Sequence, residues 1–436
     1  MTALLALALR LALAADPAAV APPQRLQAAP ALTLEEALRR ARSHPRVAQS
    51  AAAEAQAGAR SREARAGFLP SGQANASYTR ATSNSAATPG ASGGVGLARG
   101  SANQTFPFYA GSLNLTVPIW DFGRTLDAFR SAREAEAAAR EDLAAARHDV
   151  DADVRAAFFG ALAAEELVQV ADDTIAQMQK HLDFAQASLE VGRRTRFDVT
   201  RAQVDLTNAR IQKIQADNGV ATARASLAAA VGEAVGDARL VAPAEPEGPD
   251  PVPAEASRQA LERRPELAAL ARRIAAADAS VGAARSAWYP VLAGNGQLGW
   301  RGEDLPLVRN WQVGVTLTWP FLDGGADLAR VQESRAALEG TQAAREAEVL
   351  QIRAEVEQAA LAVIEAHARR DAAAVLVGQA RENLELAEGR YQAGVGTIIE
   401  LADAQAALSG ARAQGVRAGY DLAIARARLR RAVGDA

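Results

Sequence analysis

Two periodicities run through the chain, and they predict two kinds of element. In WQVGVTLTW (311–319), Trp311, Val313, Val315, Leu317 and Trp319 alternate with Gln312, Gly314, Thr316 and Thr318. SLNLTV (112–117) and QANASYT (73–79) alternate likewise. A period of two gives a strand one apolar and one polar face. Elsewhere the period is seven. Leu401, Leu408, Gly415, Leu422 and Leu429 recur at that spacing, with Ala404, Ala411, Ala418, Ala425 and Ala432 beside them. Val199, Leu206, Lys213, Val220 and Leu227, with Ala202, Ala209, Ala216, Ala223 and Ala230, do the same earlier in the chain. A seven-residue apolar repeat supercoils left-handed against partner helices, and an alanine row lets backbones approach closely. Partners are available in Val168, Ile175, Leu182 and Leu189, and in Val349, Val356, Val363, Val377, Leu384 and Tyr391. Large seam residues are few and charged positions many, which fits a hollow cylinder of paired helices better than a solid globule. A plain structural coiled coil would explain the heptads and leave the strands unexplained.

The pattern occurs twice. LNLTVPIWDFG (113–123) matches VTLTWPFLDGG (315–325), and EVGRRTRFDVTRAQVDL (190–206) matches QAGVGTIIELADAQAAL (392–408). Pro118 pairs with Pro320 and Gly192 with Gly394, both at an offset of 202 residues. Upstream, HPRV (44–47) matches RPEL (264–267) and Pro70 matches Pro290, at an offset of 220. The difference falls in 81–104, a Gly/Ser/Ala loop without periodicity. Each half reads helix, strand, loop, strand, very long helix, glycine turn, helix. The expected organisation is a signal peptide over 1–15 and a Pro/Ala-rich segment over 16–32. The first repeat follows over 33–239, with strands at about 68–82 and 105–119 and a hairpin tip at 191–197. A proline-rich connector spans 240–256. The second repeat occupies 257–436, with strands at about 290–300 and 311–320 and a tip at 393–399.

Alternation alone does not separate a soluble sandwich from a membrane wall. Strands of roughly 10–13 residues suit tilted membrane spans. Trp120, Trp288, Trp300, Trp311 and Trp319 lie in or beside them, joined by Phe122, Tyr289 and Phe321, as interfacial girdles would be. The sandwich reading puts the tryptophans in a core instead. Four strands cannot close a barrel, and open edges cannot face lipid, so a membrane sheet must pool strands with copies of itself. Two copies give eight strands and a side-chain-filled interior; three give twelve and leave a lumen.

Composition narrows the chemistry. With 48 basic and 51 acidic residues in 436, nothing points to nucleic acid as a partner. There is no cysteine, which excludes disulfides, thiolate metal sites and thiol nucleophiles. TALLALALRLALAA (2–15) resembles a secretory signal peptide, with a buried N-terminal helix as the alternative. GASGG (90–94) matches a nucleophile-elbow pattern through Ser92, but it lies in the aperiodic loop rather than between strand and helix. His44, His148, His181 and His367 have no metal-ligand spacing, and His181 near Asp183 reads as solvated helix surface. No phosphate-loop or dinucleotide motif is present. Neither an enzyme nor a cofactor or metal is expected.

The strand-to-helix junctions TVPIWDFG and TWPFLDGG and the turns VGRRTRFDV and AGVGTIIEL, repeated at a fixed offset, make the chain resemble the TolC-like outer membrane efflux protein family over nearly its whole mature length. That resemblance implies an α+β membrane protein. Four transmembrane β-strands per chain would contribute to a trimeric 12-stranded barrel in outer-membrane lipid. A long α-helical coiled-coil tunnel would continue it through the periplasm. It also implies an exit duct of a tripartite efflux or type I secretion system, working with a periplasmic adaptor and an inner-membrane transporter. By the same resemblance, Val191, Gly192, Arg193, Thr195, Gly394, Val395 and Thr397 form an adaptor-docking tip. Arg193, Ala393 and Val395 depart from the family's Val-Gly-Leu/Thr pattern. Asp198, Glu400 and Asp403 correspond to the acids of a tunnel constriction, with Tyr391 and Arg194 as latch partners. Rings of such acids would favour cations; equally, they read as first-turn acids stabilised by a helix N-terminus. Gly396 stands where some relatives carry an arginine, which argues against a two-sided arginine latch. The alternative function is a periplasmic coiled-coil structural or adaptor protein without a barrel.

Overall fold

Two helices of 67 residues, each about 100 Å long at the helical rise, dominate the molecule. The computed structural model describes residues 31–82, 105–192, 195–243 and 250–435. The signal peptide expected over 1–15, Ser92 with its GASGG motif, Arg193 and Arg194 lie outside the described residues. In chain order the elements are β1 (Ala31–Thr33), α1 (Leu34–Ala41), α2 (Pro45–Ala66), β2 (Ser71–Thr82), β3 (Thr105–Trp120), α3 (Arg124–Glu190), α4 (Arg196–Val231), β4 (Arg239–Val241), α5 (Pro253–Arg263), α6 (Pro265–Ser286), β5 (Val291–Gly302), β6 (Val308–Thr318), α7 (Ala326–Gln392) and α8 (Ile398–Val433). The chain is mostly helical, with one four-stranded antiparallel sheet of order β2-β3-β5-β6 and a small parallel pair, β1-β4.

Each long helix is flanked by two shorter ones placed end to end. α2 and α4 run beside α3, and α6 and α8 continue each other in the same way. Left-handed glycines end the returning helices, Gly232 at φ +86° and Gly434 at φ +87°. Both positions also lack room for a side chain. A Cβ on Gly232 would stand 3.0 Å from His44 Cδ2, and one on Gly434 would stand 3.2 Å from the Arg263 carbonyl carbon. The joints are held differently. His44 Nε2 lies 3.3 Å from the Ala229 carbonyl, while buried Arg264 donates to the Ala432 carbonyl at 2.7 Å and pairs with Glu355 at 2.6 Å.

The expected seams form between long and returning helices. Met178, Leu182 and Ala185 of α3 pack on Ala202, Leu206 and Ala209 of α4. Leu384, Ala387 and Tyr391 of α7 pack on Ile398, Leu401, Ala404 and Leu408 of α8. Lys213, a polar member of the heptad row, reaches from α4 to Asp172 on α3 at 3.5 Å while holding Asp217 at 2.7 Å. Leu189, assigned to the α3 seam, is instead exposed, one residue from the end of the helix.

The largest core sits at the waist. Phe158, near the middle of α3, is fully buried with Phe159, Val154, Leu227 and Val231. It is closed over by Leu32 of β1, Leu240 of β4 and Ala37 of α1. Arg224 fastens this cap, donating to the Gly236 and Ala238 carbonyls at 3.0 and 3.1 Å and pairing with Glu165 at 2.6 Å. Element boundaries differ from expectation in local ways. β2 begins at Ser71 rather than 68, because the Phe68 and Leu69 N–H groups still bond back to Arg65 and Ala66 at the end of α2. β6 begins at Val308 and stops at Thr318, just before Trp319 and Pro320, and Pro320 has no N–H to donate. β5 runs on to Gly302. β1, α1, β4 and α5 were not expected, and the latter two intrude on the proline-rich connector.

Replacing Phe158 by alanine should lower stability by about 3–5 kcal/mol. The loss would be read as a reduced melting temperature in detergent, with Phe158→Leu recovering most of it.

Candidate functional site

The sheet separates its side chains by polarity across all four strands. Register rows place Ala74, Leu113, Leu298 and Trp311 side by side, and next to them Gly72, Leu115, Gly296 and Val313. The intervening row, on the opposite face, is Gln73, Asn114, Gln297 and Gln312. One face is therefore apolar and the other lined by carboxamides and hydroxyls. Among the described residues nothing covers the apolar face: Trp311 is 72% exposed and Val313 75%. A sandwich would bury this face against a second sheet, and among the described residues there is no second sheet of matching size. Among the described residues the outer edges of β2 and β6 have no strand beside them.

Strand and helix meet at two equivalent junctions. The Asp121 carboxylate accepts from the Gly123 and Thr125 N–H groups at 3.1 and 2.7 Å. Asp323 accepts from Gly325 and Asp327 at 2.9 and 2.6 Å, and these backbone bonds hold its carboxyl below the usual carboxylate range. The aspartates thus cap the two 67-residue helices at their starts. Aromatic rings gather at this level. Phe122 stacks on Tyr289 at 4.9 Å and meets Trp120 edge-on, and Trp319 packs on Phe321 while donating its indole N–H to the Trp288 carbonyl at 3.2 Å. Trp300 and Trp311 do not join this belt. They stand at the far ends of β5 and β6, where Tyr78 and Tyr109 pair at 5.1 Å. The aromatics form two levels, one at each end of the apolar band.

At the opposite end of the long helices lie the two hairpin tips. In the first, Val191 is exposed, Gly192 takes φ +74°, and Thr195 caps α4. Thr195 and Asp198 form a reciprocal capping box: the Thr195 N–H donates to Asp198 Oδ2 at 3.0 Å, and the Asp198 N–H to Thr195 Oγ1 at 3.4 Å. Asp198 is buried in the protomer. The second tip is tighter. Gly394 takes φ +79°, and the Val395 and Gly396 N–H groups both bond to the Arg390 carbonyl, at 3.1 and 2.9 Å. A Cβ on Gly396 would lie 2.9 Å from the Tyr391 nitrogen, so the turn itself calls for glycine there. Thr397 caps α8 through the Glu400 N–H, and Glu400 pairs with Arg390 at 3.5 Å. Val395 is exposed.

Within one protomer the three expected constriction acids differ in setting: Asp198 is buried, whereas Glu400 and Asp403 are exposed. Asp403 lines a cleft of about 790 Å³ between α3, α4 and α8, along with Arg201, Asp205 and Arg417. Tyr391 is buried against Phe184, with ring centroids 5.8 Å apart. Nearby is a polar cluster that the sequence reading missed. Gln177 donates to Glu388 at 3.0 Å, and His181 lies 3.8 Å from the same carboxylate, tying α3 to α7. His181 is thus not solvated surface, since its side chain is only 17% exposed. Burial pushes its pKa below the ordinary 6.5, against the opposing pull of Glu388. Thr174 and Ser409 add a cross-helix contact at 3.0 Å. No spacing rule signals this cluster, because its members come from three helices.

The chain is similar to known proteins. Over 150 residues the chain is 31% identical to outer membrane protein OprJ of Pseudomonas aeruginosa, a stretch covering 33% of this chain and 31% of that one. It is 24% identical over 305 residues to the probable efflux pump outer membrane protein TtgC of Pseudomonas putida, covering 68% and 63% of the two chains. The matches thus span less than two thirds of these relatives. The fold matches the Campylobacter jejuni CmeC outer membrane channel at TM-score 0.80 and 18% identity, over 92% of this chain and 85% of that one. The open-state Neisseria gonorrhoeae MtrE channel matches at TM-score 0.76 and 21% identity, over 92% and 89%. At such identities the likeness shows the fold. The family model for outer membrane efflux proteins matches residues 34–233 and again 256–435, and the chain belongs to that family.

Proposed function

We propose that the protein is the outer-membrane exit duct of a tripartite export system, built as a homotrimer from two tandem repeats per chain and performing no chemistry. The observation that carries this reading is the sheet: apolar on one face, amide-lined on the other and, among the described residues, uncovered and with both edges free. In lipid such edges must be paired, and closure with further copies is the arrangement that pairs them. The register supports closure. Counted from the junction prolines, the row Ala74–Leu113–Leu298–Trp311 shifts from four residues beyond Pro70 to nine before Pro320. Over three spacings of ~4.8 Å, with ~3.3 Å of rise per residue, that is a strand tilt of roughly 50°, near the ~35–45° of closed barrels. Three copies supply twelve strands and a lumen lined by the carboxamide face.

The helices support the same assembly. α4 carries a second apolar stripe away from its seam, with Phe197, Val204 and Ile211 exposed at seven-residue spacing and Ile214 beside them. α7 exposes Leu361, Val375 and Leu386. These are faces for neighbouring copies. In this reading the tips, with Val191, Gly192, Gly394 and Val395 at their apices, dock a periplasmic adaptor that links the duct to an inner-membrane transporter. The relatives named for efflux favour this over a periplasmic protein without a barrel. The purified protein should require detergent, run as a trimer and conduct ions in planar bilayers; a monomer soluble without detergent would refute the duct.

Asp198, Glu400 and Asp403 are proposed to narrow the tunnel behind the tips. Asp198→Ala, Glu400→Ala and Asp403→Ala together should raise single-channel conductance and reduce cation preference. Asp198→Asn separates charge from capping, because the amide oxygen still accepts the Thr195 N–H. Unchanged conductance in the triple variant would remove these acids from the constriction.

The His181 contact gives the tip a pH dependence. Its folded-state pKa lies below the unfolded one, so the unfolded chain binds the extra proton. The stabilisation is present above pH 6.5 and is lost as pH falls below that value. Hydrogen-exchange protection over residues 175–190, corrected for the intrinsic pH dependence of amide exchange, should fall on acidification below pH 6.5, and His181→Gln should flatten that response.

A further inference from the structure

The outward face of the sheet is not a uniform apolar band. A cleft of about 580 Å³ opens on it, walled by Leu113 and Leu115 of β3 and by Trp311 and Val313 of β6, with Gly296 of β5 as its floor. The glycine makes the space. A Cβ there would meet nothing nearer than Leu115 Cβ at 3.8 Å.

Two residues beyond Trp311, on the same face, stands Arg309, whose register partner is Trp300. Arg80 occupies the same face at the opposite edge of the sheet, where it donates to a hydroxyl, Thr105 Oγ1 at 3.5 Å. Both arginines are exposed, and among the described residues neither has a carboxylate partner. Counted from the junction prolines, Arg80 lies ten residues from Pro70 and Arg309 eleven from Pro320. They therefore reach one height. At ~3.3 Å per residue and a tilt of roughly 50° that height is about 22 Å above the helix-proximal aromatics, close to the ~25 Å thickness of a barrel's apolar band. When edges β6 and β2 of neighbouring copies meet, Arg309 of one stands at the level of Arg80 of the next.

The guanidinium groups thus face outward at the rim of the hydrocarbon, without a protein counter-ion, above an apolar cleft. A guanidinium fork matches a phosphate in charge and geometry. A single molecule that offers a phosphate at the rim and an acyl chain below it satisfies both features. We propose that this cleft, with Arg309 and Arg80, binds a phosphate-bearing acylated lipid of the outer leaflet. The site rests on the reading of the sheet as a membrane wall.

Native mass spectrometry of the full-length trimer in mild detergent tests the site, with bisphosphorylated lipid A, the same lipid stripped of its phosphates, and inorganic phosphate as probes. The wild type should hold the phosphorylated lipid roughly tenfold more tightly than the stripped one, the scale of one charge-assisted bond. Arg309→Gln should erase that preference while leaving weak binding of both. Gly296→Leu, which fills the cleft, should weaken both. Inorganic phosphate alone should not displace the lipid. Equal binding of the two lipids by the wild type, or displacement by inorganic phosphate, overturns the site. If the wild type and variants are conducting trimers without this discrimination, the lipid site falls and the duct stands. A detergent-free monomer removes both.

Discussion

A backbone N–H or C=O that faces hydrocarbon without a partner costs several kcal/mol, and this chain's sheet has two edges made of them. The rest of the architecture answers to that cost. Water would satisfy the edges, but water would also meet Trp311, Val313, Val315 and Leu317, which the protomer leaves uncovered. Lipid suits the apolar face and forbids the free edges. Only a closed sheet meets both conditions, and four strands per chain make closure a matter for several copies. The free apolar stripes on α4 and α7 carry the same demand down the helical part. Oligomerisation is then a condition of the sheet being in a membrane rather than an addition to a finished fold.

Below the sheet the problem is reversed. The helices must be long and closely paired, yet surround a space rather than fill it. Alanine rows meet that requirement. Ala202 and Ala209 in one hairpin, and Ala404 and Ala411 in the other, are buried in seams with few large residues. Such seams bury little apolar area per turn, so the long helices need support elsewhere. The Phe158 cluster supplies it midway along α3, where β1, β4 and α1 close a denser core around the bundle. Gly232 and Gly434 let the shorter helices follow each other with backbones almost touching, so that two short helices match the length of one long one.

Much of this was legible because it repeats. A strand period of two and a heptad each announce a buried or half-buried face, and an offset shared by Pro118, Gly192 and Thr195 with Pro320, Gly394 and Thr397 set the two hairpins in parallel. What escaped was short or assembled from distant residues. β1 and β4 hold three residues each and find their stability in the pairing of Leu32 with Leu240, which no local pattern records. The cluster of Gln177, His181 and Glu388 draws on helices some two hundred residues apart in the chain, and His181 beside Asp183 looked like solvated surface. Which aromatic level Trp300 and Trp311 join depends on height along a strand, and height emerges only from the register.

The tips show how far the likeness of the halves extends. Both keep a left-handed glycine and a threonine cap, because a reversal between antiparallel helices needs a positive φ and partners for the first free N–H groups. Beyond those needs they part. In the first tip the acid is drawn back into the capping box, with both Thr195 donors around Asp198. In the second, Glu400 leaves its carboxylate free to meet Arg390, while Asp403 points to solvent from a cleft that also holds two arginines. An acid engaged by its own cap presents little charge to a tunnel; an exposed one presents more. Repetition accounts for the turns, and if the proposed constriction stands behind the tips, divergence between the repeats is where its charge can be set without disturbing them.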